Sequence, residues 1–158
     1  MTTVSDAVND FLAQRRIAVA GVSRKAMGHG GNLVYQRLKS RGYEVFAVNP
    51  NADTVEGDAC YHDLAAIPGG VDAVVIATAP AAAVDVVADC ERLGIRRVWM
   101  HRSFDAGSVS PAAVKAGRTA GMTVIAGGCP LMFDPTADFG HKCMRVFLGV
   151  VGKAPTAG

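Results

Sequence analysis

The residues best suited to chemistry form a glycine-rich turn near the start of the chain. The turn runs from Gly21 to Gly31, reads GVSRKAMGHGG and directly follows a short apolar run. Glycine lets phosphate oxygens approach the backbone, and the free N–H groups that open a following helix supply positive potential. Arg24 and Lys25 are cations that can contact phosphate. The turn therefore predicts an anion site, the alternative being a plain glycine-rich turn with solvated charges.

The spacing of this turn departs from the dinucleotide-binding pattern GxGxxG. Ser23 stands at the second glycine position, and the turn is longer than in that pattern. After the next apolar run comes Asn49, where a protein that binds NAD normally presents Asp or Glu to the ribose hydroxyls. Asn49 can still hydrogen-bond, and Val48 and Pro50 offer an apolar surface for an adenine. A plain Asn-Pro turn is an equally good interpretation.

Two later segments follow predicted strands and could border a ligand. Residues 77–80, with the sequence ATAP, combine small side chains that keep a crevice open with a proline at a helix start. Thr78 can bond a phosphate or ribose, although capping the helix is the better interpretation of this residue alone. Residues 127–130, GGCP, place the Cys129 thiol in a tight turn. A structural role is the better interpretation for Cys129, since an active thiol needs a neighbouring base or positive potential.

The histidines and the known catalytic motifs give no further site. His62 and His141 each lie two residues from a cysteine, but no other ligands occur at zinc-finger spacing. His101 follows a predicted strand and is a candidate by position only. The motifs GxSxG, HExxH and the P-loop are absent, so the hydrolase, metalloprotease and P-loop NTPase classes lose their usual support. We predict no catalytic residue and no metal site.

The elements that must position these turns alternate along the chain. Short Val/Ile/Ala runs alternate with longer Ala-rich helical segments, which is typical of βαβ units around a mainly parallel sheet. Ligands of such sheets bind outside the carboxyl ends of the strands, which is where all these turns fall. We expect one domain over residues 1–158 with an α/β, Rossmann-like, doubly wound sheet of five or six strands.

Apolar runs bounded by glycine and proline set the element boundaries. The predicted strands are 16–21, 44–48, 72–77, 97–100 and 122–126, and the predicted helices are about 31–41, 80–93 and 111–120, after a short first helix that Ser5 could cap. Residues 51–70 are expected to be loop with a helical turn near 63–67. Residues 142–151 are expected to be a helix or strand, and 153–158 a frayed, flexible tail. The core should span about 15–130.

Composition and charge exclude several classes of protein. A chain of 158 residues that is 50% hydrophobic and 19% charged can fold alone and is not disordered. Its net charge of +2, without a block of like charges, gives no footprint for nucleic acid or a membrane surface. The apolar stretch 71–88 is interrupted by Asp72, Pro80 and Asp85, so we expect no membrane span. We expect a cytoplasmic protein with reduced thiols, and a homodimer is a common state for such a domain.

Taken together, several segments resemble the small stand-alone CoA-binding proteins, relatives of the CoA-binding domain in the α subunit of succinyl-CoA synthetase. They run in order from about Ile17 to Pro130 and read IAVAGVSR, GYEVFAVNP, GDACY with IPGGVDAVVIATAP, GIRRVWM and GGCP. The resemblance implies a Rossmann-like domain with CoA across its strand ends. By that analogy Gly21, Ser23 and Arg24 hold phosphate, Val48, Asn49 and Pro50 border the nucleotide, and Ala77, Thr78 and Pro80 line the crevice. With the other candidates, the predicted CoA-binding set is Gly21, Val22, Ser23, Arg24, Lys25, Val48, Asn49, Pro50, Ala77, Thr78, Ala79, Pro80 and Cys129.

The neutral Asn49 agrees with CoA as the ligand, because a carboxylate there would repel the 3′-phosphate. The synthetase performs its catalysis with a second domain and a partner subunit, for which this chain has no room. We therefore expect a CoA or acyl-CoA binding module that is non-catalytic or regulatory. The alternatives are an NAD(P)-dependent oxidoreductase and an interaction protein with a vestigial nucleotide pocket.

Overall fold

A mainly parallel sheet forms the frame of the fold. The structure is a computed structural model that describes residues 2–25, 30–102, 107–133, 139–150 and 152–158. Within them the strands are β1 (Arg16–Ala20), β2 (Glu44–Val48), β3 (Thr54–Val55), β4 (Asp58–Tyr61), β5 (Ala73–Ile76), β6 (Arg97–Met100), β7 (Thr123–Ala126) and β8 (Thr156–Ala157). They form one sheet in the order β3-β4-β2-β1-β5-β6-β7-β8, in which only the edge strands β3 and β8 pair antiparallel. The predicted Rossmann-like sheet is confirmed, with eight strands rather than five or six.

Helices cover both faces of this sheet. They are α1 (Val4–Leu12), α2 (Gly30–Ser40), α3 (Pro80–Arg92), α4 (Pro111–Thr119) and α5 (Phe139–Val150). Residues of α1, α2 and α5 share one apolar cluster with Trp99, whereas residues of α3 and α4 share a second cluster with Met100. Trp99 and Met100 are neighbours in β6, and successive side chains of a strand point to opposite faces. The sheet is therefore doubly wound, as expected.

The strand order brings the predicted ligand turns together at one point. From β1 the chain winds outward to β2 and β4, and it then returns to β5 on the other side of β1. Such a switch point is where open α/β sheets bind ligands. The Gly21 N–H donates to the Val48 carbonyl at 2.9 Å, and the Ala77 N–H donates to the Ala20 carbonyl at 2.7 Å. The turns after β1, β2 and β5 consequently lie side by side.

Two local predictions were wrong in detail. Residues 51–70 contain the hairpin β3–β4 as well as the expected helical turn, which is a 3₁₀ turn at Leu64–Ala66. Thr3, not Ser5, caps α1, because the Thr3 side chain accepts the Asp6 N–H while the Asp6 carboxylate accepts the Thr3 N–H. The Thr-x-x-Asp spacing is that of a capping box.

The C-terminal residues, expected to be frayed, contribute an edge strand. In β8 Ala157 pairs with Ile125 and Thr156 with Ala126, and the Val124 N–H donates to the Gly158 carbonyl at 3.0 Å. These contacts use the backbone, so the small, weakly apolar residues of the tail gave no sign of them. The segment 142–151, left open between helix and strand, lies in α5 as far as Val150.

Candidate ligand-binding site

A crevice of about 490 Å³ opens at the carboxyl ends of β1, β2 and β5. Its volume lies in the range of small-molecule sites, about 300–1,000 Å³. Seven of the residues predicted from the sequence line it: Gly21, Val48, Asn49, Pro50, Ala77, Thr78 and Ala79. The structure thus unites the turns after three separate strands in one site.

Gly21 makes the closest backbone approach in this crevice. Its φ of +98° is a conformation that side chains disfavour, and a Cβ there would lie 2.6 Å from the carbonyl carbon and oxygen of Ala77. Gly31, in the first turn of α2, faces the same point. A Cβ on Gly31 would lie 2.9 Å from the Gly21 oxygen and 3.0 Å from the Ala77 Cβ. The turn after β1, the start of α2 and the turn after β5 are therefore packed so closely that both positions need glycine.

Helix α2 begins at Gly30, beside this junction. The first N–H groups of a helix have no acceptor within it, and they carry the positive end of the helix dipole. The buried ring of His101 also reaches this point, since a Cβ on Gly30 would lie 2.8 Å from its Cε1 atom. Residues 26–29, the middle of the predicted glycine-rich turn, lie outside the described residues. The described ends of the turn form a junction suited to an anion.

Asn32 fixes the shape of the turn after β1. This side chain is only 2% exposed. Its Oδ1 accepts the Ser23 N–H at 2.8 Å, and its Nδ2 donates to the Ser23 carbonyl at 2.9 Å and to Glu56 Oε1 at 2.7 Å. The Ser23 hydroxyl accepts the Lys25 N–H at 3.1 Å. The backbone N–H, the carbonyl oxygen and the hydroxyl of Ser23 therefore all hydrogen-bond to other residues of the chain. Through these bonds Ser23 preorganises the turn.

Asn49 braces two loops in a similar way. Its Nδ2 donates to the Val22 carbonyl at 2.9 Å, and its Oδ1 accepts the Asn51 N–H at 2.8 Å. The Val22 side chain is fully buried in the core, so only its backbone borders the turn. Asn49 therefore presents a neutral, internally bonded amide to the crevice, between Val48 and Pro50.

The opposite wall of the crevice was not expected from the sequence. It consists of His62, Asp63 and Leu64 after β4, and of Ala82, Asp85, Val86 and Asp89 on α3. The α3 positions recur every three or four residues, which places them on one face of the helix. That spacing was visible in the sequence, but it indicates a ligand only once the crevice beside α3 is known.

Electrostatic potential differs between the two sides of the crevice. Apart from His62, the charged groups in its described lining are Asp63, Asp85 and Asp89, without a Lys or Arg. His62 Nε2 lies 2.8 Å from Asp53 Oδ1, and Asp89 pairs with Arg92. The predicted cations Arg24 and Lys25 are exposed on the turn that follows Gly21, outside the lining. An anionic group is favoured near Gly21 and opposed near Asp85.

Six of the predicted residues are absent from the crevice lining, namely Pro80 and Cys129 in addition to Val22, Ser23, Arg24 and Lys25. Pro80 is the first residue of α3. Cys129 is buried at the start of the 3₁₀ turn Pro130–Met132, in the apolar cluster shared with α1, α2 and α5. Cys129 therefore belongs to the core beneath the crevice lining, in the same apolar cluster as Val22.

Two of the four cysteines have thiol pKa values that burial raises. Burial raises the pKa of the Cys90 thiol to about 12 and also raises that of Cys60, so both remain protonated near neutral pH. No group of three or more His, Cys, Asp or Glu among these residues could hold a metal ion. None of the helices that the structure describes is long and apolar enough to cross a membrane.

A known protein family matches the part of the chain that contains the crevice. The family described as CoA binding domain matches residues 15–135. The ADP-forming acetate–CoA ligase II of Archaeoglobus fulgidus is 34% identical over 96 residues, which are 60% of this chain but only 14% of the ligase. This chain therefore spans about one seventh of that relative.

Solved structures agree with the fold. A hypothetical protein from Pyrococcus horikoshii superposes with a TM-score of 0.72 at 26% identity, covering 80% of this chain and 85% of that protein. The dinucleotide-forming acetyl-coenzyme A synthetase 1 of Candidatus Korarchaeum cryptofilum, in complex with phosphate and ADP, gives 0.60 at 27% identity, covering 71% of this chain and 25% of the synthetase. The family match extends over β1 to β7 and includes every residue that lines the crevice. This chain belongs to the CoA-binding domain family.

Proposed function

We propose that the chain is a cytoplasmic CoA or acyl-CoA binding module that performs no chemistry of its own. The observation that supports this most is the glycine junction at the switch point, inside the matched family range. Gly21 and Gly31 leave room for backbone alone, and α2 begins at Gly30. Such a junction suits a pyrophosphate, which is bound by N–H groups and a helix dipole.

The rest of the crevice fits the nucleotide end of CoA. Val48 and Pro50 offer apolar surface for the adenine, and Asn49 adds no charge beside them. Thr78 lines the crevice from the turn after β5, and its hydroxyl donates to the Ala79 carbonyl at 3.1 Å. Asp85 and Asp89 repel phosphate, so the phosphates belong on the Gly21 side, within reach of Arg24 and Lys25.

The described crevice gives no support for catalysis. Its titratable side chains are His62 and three aspartates, and His62 is engaged by Asp53 outside the lining. Acyl transfer usually requires a nucleophile hydrogen-bonded to a base. The Thr78 hydroxyl is the candidate nucleophile of this lining, and it donates to the Ala79 carbonyl rather than to His62 or an aspartate. A module of this kind acts through the difference between its CoA-bound and CoA-free forms. A partner protein, or a catalytic domain on another chain, then recognises one of the two forms.

Isothermal titration of the purified protein with CoA, dephospho-CoA, NAD, NADP and ATP tests the proposal. We expect CoA to bind with a dissociation constant in the micromolar range or below, tighter than NAD or NADP. Binding of NADP without CoA would instead support an oxidoreductase. If none of the five ligands bound, the result would support an interaction protein with a vestigial pocket.

Incubation of the protein with acetyl-CoA tests the absence of catalysis. We expect no hydrolysis above the rate in buffer, measured as free thiol released over time. Release of CoA that depends on protein concentration would contradict a non-catalytic role while leaving CoA binding intact.

A further inference from the structure

The outer side of helix α5 carries large apolar side chains that are more than half exposed. Its inner side chains, Met144 and Leu148, are buried against the core. On the outer side Phe139 is 82% exposed, Val146 67%, Phe147 53% and Val150 81%. These four are the majority of the large exposed hydrophobic residues that the structure describes, the others being Leu33 and Leu93.

The outer residues form one continuous stripe. Phe139, Cys143, Val146 and Val150 recur at intervals of three or four residues, with Phe147 beside them, so they share one helix face. A shallow groove on this face is lined by Cys143, Val146, Phe147 and Val150 together with Lys142, all from α5 itself. None of the described α5 residues lines the ligand crevice, and α5 begins after the matched family range ends.

Charges lie at the edge of this stripe and not within it. Lys142 borders the groove, and the guanidinium carbon of Arg145 lies 4.8 Å from the centre of the Phe133 ring, toward the protein. The described residues of α5 include no Asp or Glu. Covering the stripe therefore buries no carboxylate of α5. The long Lys142 side chain can pack its apolar stem against the partner while its ammonium group stays in water.

We propose that this face joins two copies of the chain, with α5 packed antiparallel on α5 about a twofold axis. A twofold interface uses the same patch on both copies, so the patch must be complementary to itself. The stripe has this property, because Phe139 and Val150 are equally far from the helix midpoint, as are Cys143 and Val146. In the centred register Phe139 meets Val150 of the partner subunit, and Cys143 meets Val146 of the partner subunit. Lys142 then faces Phe147 of the partner subunit, and no like charges oppose each other.

The size of the stripe sets the strength of the pairing. Since a complete aromatic side chain offers about 150–250 Å², the four exposed side chains amount to roughly 500 Å² of apolar surface per copy. That is near the upper end of what a monomer leaves exposed. Two copies bury on the order of 1,000 Å², the lower limit for a specific interface. The dimer should therefore be weak, with a dissociation constant on the order of 10–100 µM.

Sedimentation equilibrium of the 158-residue chain, from about 1 µM to about 1 mM, tests the pairing. Val146→Asp places a charge at the centre of the stripe, on an exposed side chain whose replacement leaves the core intact. We expect it to weaken the dimer at least tenfold. Leu93→Asp, at an exposed leucine beyond the end of α3, is the matched control and should leave the dimer unchanged. A wild-type protein that stays monomeric throughout, or a dimer that Val146→Asp leaves intact, would overturn the proposal.

The register has its own test. In Val146→Cys the new thiol should meet Cys143 of the partner subunit, and oxidation by diamide should give a covalent dimer that dithiothreitol reverses. Diamide takes up the two electrons and two protons that the thiols lose. Leu93→Cys should give no more covalent dimer than wild type. Equal yields from the two variants would rule out this register. Titration of Val146→Asp with CoA should reproduce the wild-type affinity, so failure of the pairing and failure of ligand binding are distinguishable.

Discussion

Gly31→Ala tests the ligand junction directly, because it adds one methyl group at the point where three segments meet. The new Cβ would lie 2.9 Å from the Gly21 oxygen and 3.0 Å from the Ala77 Cβ. Both distances are shorter than an ordinary contact between carbon and its neighbours, about 3.5–4.0 Å. The turn after β1 must therefore move by about half an ångström away from α2 to accept the methyl group.

The effect on stability is small because two contributions oppose each other. Alanine is better than glycine inside a helix by about 1 kcal/mol. Overpacking of a close junction costs about 1–3 kcal/mol. We expect the free energy of unfolding to fall by about 0–2 kcal/mol, which leaves the protein folded. CoA affinity should fall by at least tenfold, or about 1.4 kcal/mol, because in the proposed function the displaced turn carries the backbone groups that bind the phosphate.

Gly149→Ala is the matched control for this substitution. Gly149 also lies inside a helix, α5, but a Cβ there would meet no atom within 4 Å. This variant should gain up to about 1 kcal/mol of stability and bind CoA as wild type does. Isothermal titration and urea denaturation of the three proteins give both quantities. Wild-type CoA affinity in Gly31→Ala would refute the assignment of the phosphate to this junction.

Three further predictions concern charge, acid stability and thiol reactivity. Asp85→Asn removes a negative charge from the crevice wall, so CoA should bind about two- to fourfold more tightly at low salt. The gain in affinity should be smaller for dephospho-CoA, and smaller for CoA at high salt. Unchanged affinity would show that the phosphates lie far from α3. The Lys39 ammonium and the Tyr35 hydroxyl, both hydrogen-bonded to Asp58, hold the pKa of this carboxyl below its usual value of 3.8. Ionised Asp58 therefore stabilises the fold above about pH 4, and this contribution is lost as the pH falls through the lowered pKa. The difference in urea midpoint between wild type and Asp58→Asn should accordingly shrink from pH 6 to pH 3, and a constant difference would exclude this linkage. Finally, Cys143 is exposed whereas Cys60, Cys90 and Cys129 are buried, so iodoacetamide should label one thiol in the dilute native protein and four after denaturation; rapid native labelling of Cys129 would contradict its buried position.

The central part of the fold was predictable because each element has a local signal. β5 is a continuous apolar run, α3 begins at a proline, and Gly94 lies just beyond its end. The turn at Gly21 was also predictable, since a glycine that follows an apolar strand and precedes a helix is typical of an anion site. These signals are contained in a few neighbouring residues, and they fixed the strand ends that border the crevice.

The hairpin β3–β4 was missed by the sequence analysis, and side chains of α2 hydrogen-bond to it from a distant part of the chain. Its tip residue Glu56 has a φ of +54°, a value that favours glycine. Asn32 and Gln36 both hydrogen-bond the Glu56 carboxylate, and the Tyr35 hydroxyl donates to Asp58 at 2.8 Å. The partners are 20 or more positions apart along the chain, so no local pattern of strand residues reveals them.

Contacts between distant parts of the chain also change how Asn49, which replaces the usual Asp or Glu after β2, is interpreted. Asn49 stands where a carboxylate would contact a ribose, and its neutrality favoured a ligand with a 3′-phosphate. The fold, however, brings Asp63, Asp85 and Asp89 into the same crevice from the segment after β4 and from α3. Absence of charge at one position therefore does not make the site neutral. Discrimination between CoA and dephospho-CoA depends on how far the 3′-phosphate lies from Asp85, and a ligand that carries it must keep that group on the Gly21 side of the crevice.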